Sequence, residues 1–107
     1  MHKVVRIYRD QDGYAPYEDW INDLRDVKGR AKIRIRIDRA VLGNFGDHRT
    51  VGGGVIELRI DYGPGYRVYL GLHGEAYIVL LSGGDKGSQG RDIVNAHEYW
   101  ADYKRNL

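Results

Sequence analysis

Two alternating runs joined by Gly63-Pro64-Gly65 constrain the fold of this chain more than any other feature. In Val55 to Tyr62 and in Tyr66 to Leu72, an apolar residue recurs at every second position, the period of a half-buried β-strand. The triplet between them is a turn. His73-Gly74 marks a second tight turn, and Glu75 to Ser82 follows as a third strand. This segment predicts a three-stranded antiparallel meander, which Gly83-Gly84-Asp85-Lys86-Gly87 then leaves.

The flanking segments read as one further strand and three helices. Val4 to Tyr8 is a short β-rich run, broken by Asp10-Gln11-Asp12-Gly13. Pro16 suits the first position of a helix, and Tyr17, Trp20, Ile21 and Leu24 follow at i, i+3, i+4 and i+7. Ala31 to Leu42 alternates like a strand around Ile33, Ile35 and Ile37. It is nevertheless long for one, and Gly43-Asn44 sits where a left-handed helix cap belongs. As a helix it carries one apolar flank of Ile33, Ile37, Ala40 and Val41 and another of Ala31, Ile35 and Leu42, predicting packing on two sides. Gly46 to Gly54 reads as a loop. Ile93, Ala96, Trp100, Tyr103 and Leu107 recur at helical spacing, with Asp92 as the expected cap. The predicted fold is α+β: an N-terminal strand and a helix hairpin packed on an antiparallel meander, with a C-terminal helix and the helices on one face.

The 107 residues fit one domain, and 42% hydrophobic against 30% charged residues excludes wholesale disorder. Without cysteine there is no disulfide scaffold and no thiolate chemistry. Arg6 and Arg9 interrupt the apolar start, so the N-terminus reads as neither signal peptide nor membrane span, which predicts a cytoplasmic protein. The net charge of +2 is uninformative, but its distribution is not. Lys28, Arg30, Lys32, Arg34, Arg36 and Arg39 face a single acid, Asp38, between positions 28 and 39. On a helix, Lys28, Lys32, Arg36 and Arg39 make a basic stripe, suited to nucleic acid or an acidic partner, or simply a solvated face.

Pairing Tyr62 with Tyr66 across the first turn sets Asp61 opposite Arg67 and Arg59 opposite Tyr69. Glu57, Arg59, Asp61, Arg67 and Tyr69 then share a solvent-exposed face. The second hairpin places Leu80 opposite Arg67, and the exiting chain carries Lys86 back towards it. Such a trio suits a phosphodiester, because attack on phosphorus builds negative charge that fixed cations stabilise. Ordinary cross-strand ion pairs of Arg59 with Glu57 or Asp61, and of Arg67 with Asp61, are the competing reading. His48, beside Asp47 and Arg49, is a candidate substrate contact, or a solvated loop histidine. The four histidines show no metal-ligand spacing, and Ser82 to Ser88 lacks the GxxxxGK[ST] spacing of a P-loop. Trp20 and Trp100 sit at core spacing, and no serine lies in a nucleophile elbow.

Leu42 to Arg59 (LGNFGDHRTVGGGVIELR), Ile60 to Tyr69 (IDYGPGYRVY) and Leu80 to Lys86 (LLSGGDK) carry a family resemblance. Together they resemble the phage-derived, HigB-like branch of the RelE/ParE toxins, over nearly the whole chain from the first helix to Trp100. The most specific parts are ELR, YGPGYRVY and GGDK followed by a helix containing Tyr99-Trp100.

The resemblance implies a helix hairpin against an antiparallel sheet and makes Ala31 to Leu42 a helix. It also implies the toxin of a type II toxin–antitoxin system, a ribosome-dependent endoribonuclease that cuts messenger RNA by 2′-hydroxyl attack on the adjacent phosphate, without metal or cofactor. The matching positions are Arg67 and Lys86 for phosphate charge and Arg59 for substrate positioning. Lys28, Lys32, Arg36, Arg39 and His48 would hold RNA or the ribosome. Relatives place a proton-transfer residue near the C-terminus, and Asp92, His97 and Tyr99 do not match it cleanly. The implied partners are a small antitoxin of helix-turn-helix type, the ribosome and messenger RNA, with no membrane. The competing classes are a gyrase-poisoning ParE-like binder and a non-catalytic relative that binds only an antitoxin or DNA.

Overall fold

The computed structural model describes residues 2–107. Strand β1 (Val4–Ile7) leads through a turn into helix α1 (Pro16–Asp23) and then helix α2 (Val27–Val41). Strands β2 (His48–Thr50), β3 (Val55–Ile60), β4 (Tyr66–His73) and β5 (Tyr77–Asp85) follow. A single 3-10 turn (Lys86–Ser88) enters helix α3 (Gln89–Arg105). The class is α+β, as the sequence predicts.

Each helix of the hairpin has a local cause. Pro16 fixes the first φ of α1, and Glu18 and Asp19 in its first turn complement the helix dipole. Helix α2 starts earlier than its alternating isoleucines suggest, because the Asp26 carboxylate accepts from the Gly29 amide at 2.9 Å and caps it. The Tyr66 hydroxyl donates to the other Asp26 oxygen at 2.7 Å, tying the cap to β4. At the far end Gly43 takes φ +92°, and the amides of Gly43 and Asn44 donate to Ala40 and Arg39. That is a Schellman ending, as Gly43-Asn44 foretells. Only one flank of α2 is covered. Ile33, Ile37 and Ala40 are buried against the sheet, whereas Ile35 and Leu42 stay 49% and 60% exposed, because no element packs on their side.

The sheet has five strands in the order β1-β5-β4-β3-β2, with β1 parallel to β5 and the other pairs antiparallel. It is therefore a mixed sheet, and β2 is an edge strand within the segment expected to be a loop. The first hairpin pairs Ile60 with Tyr66 and Arg59 with Arg67, two residues from the expected register. A shift of two preserves which side chains share a face. In the second hairpin His73 pairs with Tyr77, and Leu70 with Leu80. The register then shifts, so that Tyr69 faces Ser82 and Arg67 faces Gly84. Leu81 is the extra residue of a β-bulge. Gly83, Gly84 and Asp85, expected to lie outside the sheet, are its last strand residues.

Helices cover both faces, not one. Leu58, Ile60, Val68, Leu70, Ile78 and Leu80 pack against Tyr17 of α1 and Ile33, Ile37 and Ala40 of α2. Val55, Tyr69, Val79 and Leu81 point the other way, onto Ala96 and Trp100 of α3. Each such buried valine, leucine or isoleucine contributes roughly 1.5–3 kcal/mol. Asp92 does not cap α3. The helix begins earlier, after an Asp85 carboxylate that accepts from the Gly87 amide at 2.8 Å, and Asp92 instead receives the Ser88 hydroxyl. Leu107 lies beyond the helix and is exposed. Among the described residues no helix is long and apolar enough to cross a membrane.

Glycine permits the closest approaches between layers. A Cβ on Gly83 would lie 2.1 Å from the Trp20 ring, and one on Gly71 2.5 Å from the Trp100 ring. Gly83→Ala is therefore expected to displace α1 and lower unfolding free energy by about 1–3 kcal/mol, read from the urea midpoint. An unchanged midpoint would show that Trp20 does not depend on this contact.

Candidate functional site

The site is built on the side of the sheet facing α3. Glu57, from the middle of β3, is fully buried, not exposed as the alternation implies. One of its oxygens accepts from Arg49 Nε at 3.1 Å and from Arg59 Nε at 3.2 Å. The other accepts from the Tyr69 hydroxyl at 3.1 Å and Gln89 Nε2 at 3.0 Å. Arg67 Nε stands 4.0 Å from the first oxygen, close enough for an ion pair but without a hydrogen-bond partner. Burial alone would raise the Glu57 carboxyl. The hydrogen bonds from Gln89, Arg59, Arg49 and Tyr69 outweigh it and hold the group below its ordinary value. Burial, with the Glu57 charge, pushes the Tyr69 hydroxyl well up, so it stays a donor.

Arg49 and Arg59 are gripped through Nε, which leaves their terminal nitrogens free of the carboxylate. Arg59, Arg67 and Lys86 line one cleft of about 250 Å³ together with Asp47, Asp61 and Gly65. The three cations singled out from the sequence thus converge. They do so by a different route from the expected one. Arg59 and Arg67 are direct cross-strand partners, and β5 runs on to pair Asp85 with Tyr66, delivering Lys86 beside Gly65. Facing arginines repel each other across a strand pair. The Glu57 carboxylate behind them offsets that repulsion, and an anion in front would offset it further. The expected Arg59–Glu57 ion pair exists as well, so the two readings of Arg59 are not alternatives.

The basic stripe of α2 divides. Lys28, Lys32 and Arg39 are exposed. Arg36 is not free to bind a ligand: its guanidinium donates to the carbonyls of Arg59, Phe45 and Asp47, the last two at 2.8 Å. Burial lowers its pKa, and its work is to fasten α2 to the chain around the cleft. Lys32, Arg36, Arg39, Asp61 and Tyr62 line a neighbouring cleft of about 260 Å³ that shares Asp61 with the first. His48 does not line the cationic cleft. Its ring is exposed, with Nδ1 2.8 Å from the Gly46 carbonyl, and it is Asp47, one residue earlier, that reaches the cleft.

The C-terminal candidates lie elsewhere. His97 Nε2 meets the Val51 carbonyl at 2.8 Å, Tyr99 stacks on Tyr8, and Asp92 sits against Gly84. Among the described residues no three His, Cys, Asp or Glu side chains gather as a metal site. Sequence reasoning missed Glu57 as an anchor, Arg49 and Gln89 as its donors, and Asp47 as a cleft residue. Only the Glu57–Arg59 spacing carried a signal, since i and i+2 share a strand face.

These features describe an α+β domain with a cationic cleft beside the β3–β4 turn of its sheet. No family model matches the chain. It is 46% identical over 80 residues to an uncharacterized protein of Haemophilus influenzae, across 75% of this chain and 81% of the relative. The chain belongs to the family of that protein.

Removing the Glu57 charge strips several arginine contacts at once. Glu57→Gln is expected to lower stability at pH 7 by about 3–5 kcal/mol, the scale for breaking a buried pair. Because the folded pKa lies below the ordinary 4.5, the stabilisation is complete above that pH and lost as pH falls through the folded value. Urea midpoints at neutral and acid pH check both points: the gap between wild type and Glu57→Gln should narrow on acidification.

Proposed function

We propose that this chain is the toxin of a type II toxin–antitoxin pair, a cytoplasmic endoribonuclease that cuts messenger RNA on the ribosome. The observation that carries the reading is the convergence of Arg59, Arg67 and Lys86 on one cleft. The resemblance to the HigB-like branch of the RelE/ParE toxins adds to it, since its matching motifs hold those three residues.

In this reading the 2′-hydroxyl oxygen of one nucleotide attacks the adjacent phosphorus. The new O2′–P bond forms as the P–O5′ bond breaks, leaving a 2′,3′-cyclic phosphate and a free 5′-hydroxyl. Arg67 and Lys86 stabilise the charge that grows on the non-bridging oxygens, and Arg59 holds the scissile phosphate in line. Arg67 is suited to this because its guanidinium is held by the Glu57 charge 4.0 Å from Nε and by a long hydrogen bond from one terminal nitrogen to the Tyr66 carbonyl at 3.5 Å. In this reading one of the two carboxylates that line the cleft, Asp47 or Asp61, takes the 2′-hydroxyl proton, and water protonates the leaving O5′. Lys32 and Arg39, bordering the neighbouring cleft, extend the cationic track for the flanking RNA. A small antitoxin of helix-turn-helix type is the proposed partner, neutralising the toxin by covering the cationic cleft.

Inducible expression in bacteria with mapping of messenger RNA 5′ ends tests the reading. Wild type should produce translation-dependent cuts within reading frames. Arg67→Ala and Lys86→Ala should reduce cutting by about 100-fold or more, as loss of one charge-stabilising donor does elsewhere. Growth arrest with intact messages would sink the nuclease and favour a gyrase-directed or purely binding protein.

A further inference from the structure

A second cleft, of about 300 Å³, opens between α1, β5 and α3 and shares no residue with the cationic one. Asp19 and Asp23 of α1 and Asp92 of α3 contribute its charge, and Tyr14, Trp20 and Tyr99 its aromatic surface. Among the described residues no lysine, arginine or histidine lines it. Among the described residues none of these three carboxylates joins a salt bridge. The cleft is thus acidic throughout, whereas in the site of Arg59, Arg67 and Lys86 the cations outnumber two carboxylates.

An independent feature points to a ligand. Ser82 is 7% exposed, and its hydroxyl oxygen is buried with no hydrogen-bond partner. Native interiors seldom leave such a group unpaired, since the bonds it made to water are not replaced. Ser82 lines this same cleft. It does so because of the bulge at Leu81, which sets Ser82 opposite Tyr69, on the α3 side. Two glycines shape the rest. Gly84 makes room for Asp92, whose carboxylate lies 2.0 Å from where a Cβ would stand, and Gly83 does the same for Trp20. The β1–β5 pairing ends at Ile7 and Leu80, so beyond that point this edge of β5 has no strand beside it.

Three carboxylates repel a nucleic acid and attract a cation. Among the described residues they do not gather as a metal site, and carboxylates contributed by two separate helices suit a cation whose charge is delocalised over several donors. Aromatic faces favour a weakly hydrated organic cation. We infer that this cleft binds a guanidinium or alkylammonium group. Ser82 Oγ accepts one of its N–H bonds, Asp19, Asp23 and Asp92 balance its charge, and the Trp20 ring lines its path. That chemistry comes either from an arginine or lysine side chain of a partner protein or from a free polyamine.

Titrations of the full ¹⁵N-labelled chain with agmatine, with spermidine and with acetyl-Gly-Arg-Gly-amide test this. Saturable shifts of the Trp20 indole and of the Ser82 and Gly83 amides are expected with at least one probe. Binding should weaken at least about fivefold in Asp19→Asn/Asp23→Asn and in Ser82→Ala, with spectral dispersion otherwise unchanged. Tighter binding of the peptide, with shifts running along the free edge of β5, identifies a partner's side chain as the ligand. Tighter binding of agmatine or spermidine identifies a free cation. No saturable shift with any probe, or equal binding by wild type and both variants, overturns the inference. Either result stands apart from the nuclease reading, because Arg59, Arg67 and Lys86 are untouched.

Discussion

The Glu57 carboxylate is the point from which the cationic side of this molecule is organised. An ionised group without access to water is costly unless it is paired and hydrogen-bonded on both oxygens. Here the donors come from four elements: Arg49 from β2, Arg59 from β3, Tyr69 from β4 and Gln89 from the first turn of α3. One buried charge therefore joins the edge strand, two central strands and the C-terminal helix. It also decides the posture of the arginines. Held through Nε, Arg49 and Arg59 keep their terminal nitrogens free of the carboxylate, and the facing pair Arg59 and Arg67 is tolerated because a negative charge lies behind it.

Around that anchor the layers meet at residues without side chains. Trp100 lies over Gly71 and Trp20 over Gly83, each where a methyl group would collide with the ring. The two tryptophans serve as packing on opposite faces of one sheet. A sheet covered on both sides leaves few places for a ligand except where the layers end. The clefts occur there, one beside the β3–β4 turn and the other where β1 parts from β5.

The two clefts differ in sign because of small local choices. Arg59, Arg67 and Lys86 meet because Asp85 ends β5 opposite Tyr66 and the chain turns at once. Asp19, Asp23 and Asp92 meet because α1 and α3 flank the same end of β5, drawn close by Gly83 and Gly84. Ser82 faces its cleft through a single extra residue, Leu81. Without that bulge, strict alternation would turn Ser82 towards α1 and α2.

The sequence by itself determined the class of the fold, the meander, the helix hairpin with its Gly43 ending, and the shared face of Arg59 and Arg67. These follow from local periodicity, turn chemistry and the parity of a strand. The register expected for the first hairpin was off by two residues, yet each side chain kept its face, because side chains alternate with period two. Tertiary structure alone decided the rest. It put α3 on the opposite face, since Glu57, Arg59 and Arg67 make that face look solvent-exposed until their shared ion network is formed. Edge strand β2 appears only through its pairing with β3, being too short to show a period of its own. The same is true of Arg36, which looks like part of a free basic stripe until three backbone carbonyls reach it. Hydrogen bonds between groups far apart in the chain leave no local pattern, and on them depends which charges are spent on the fold and which remain to meet a ligand.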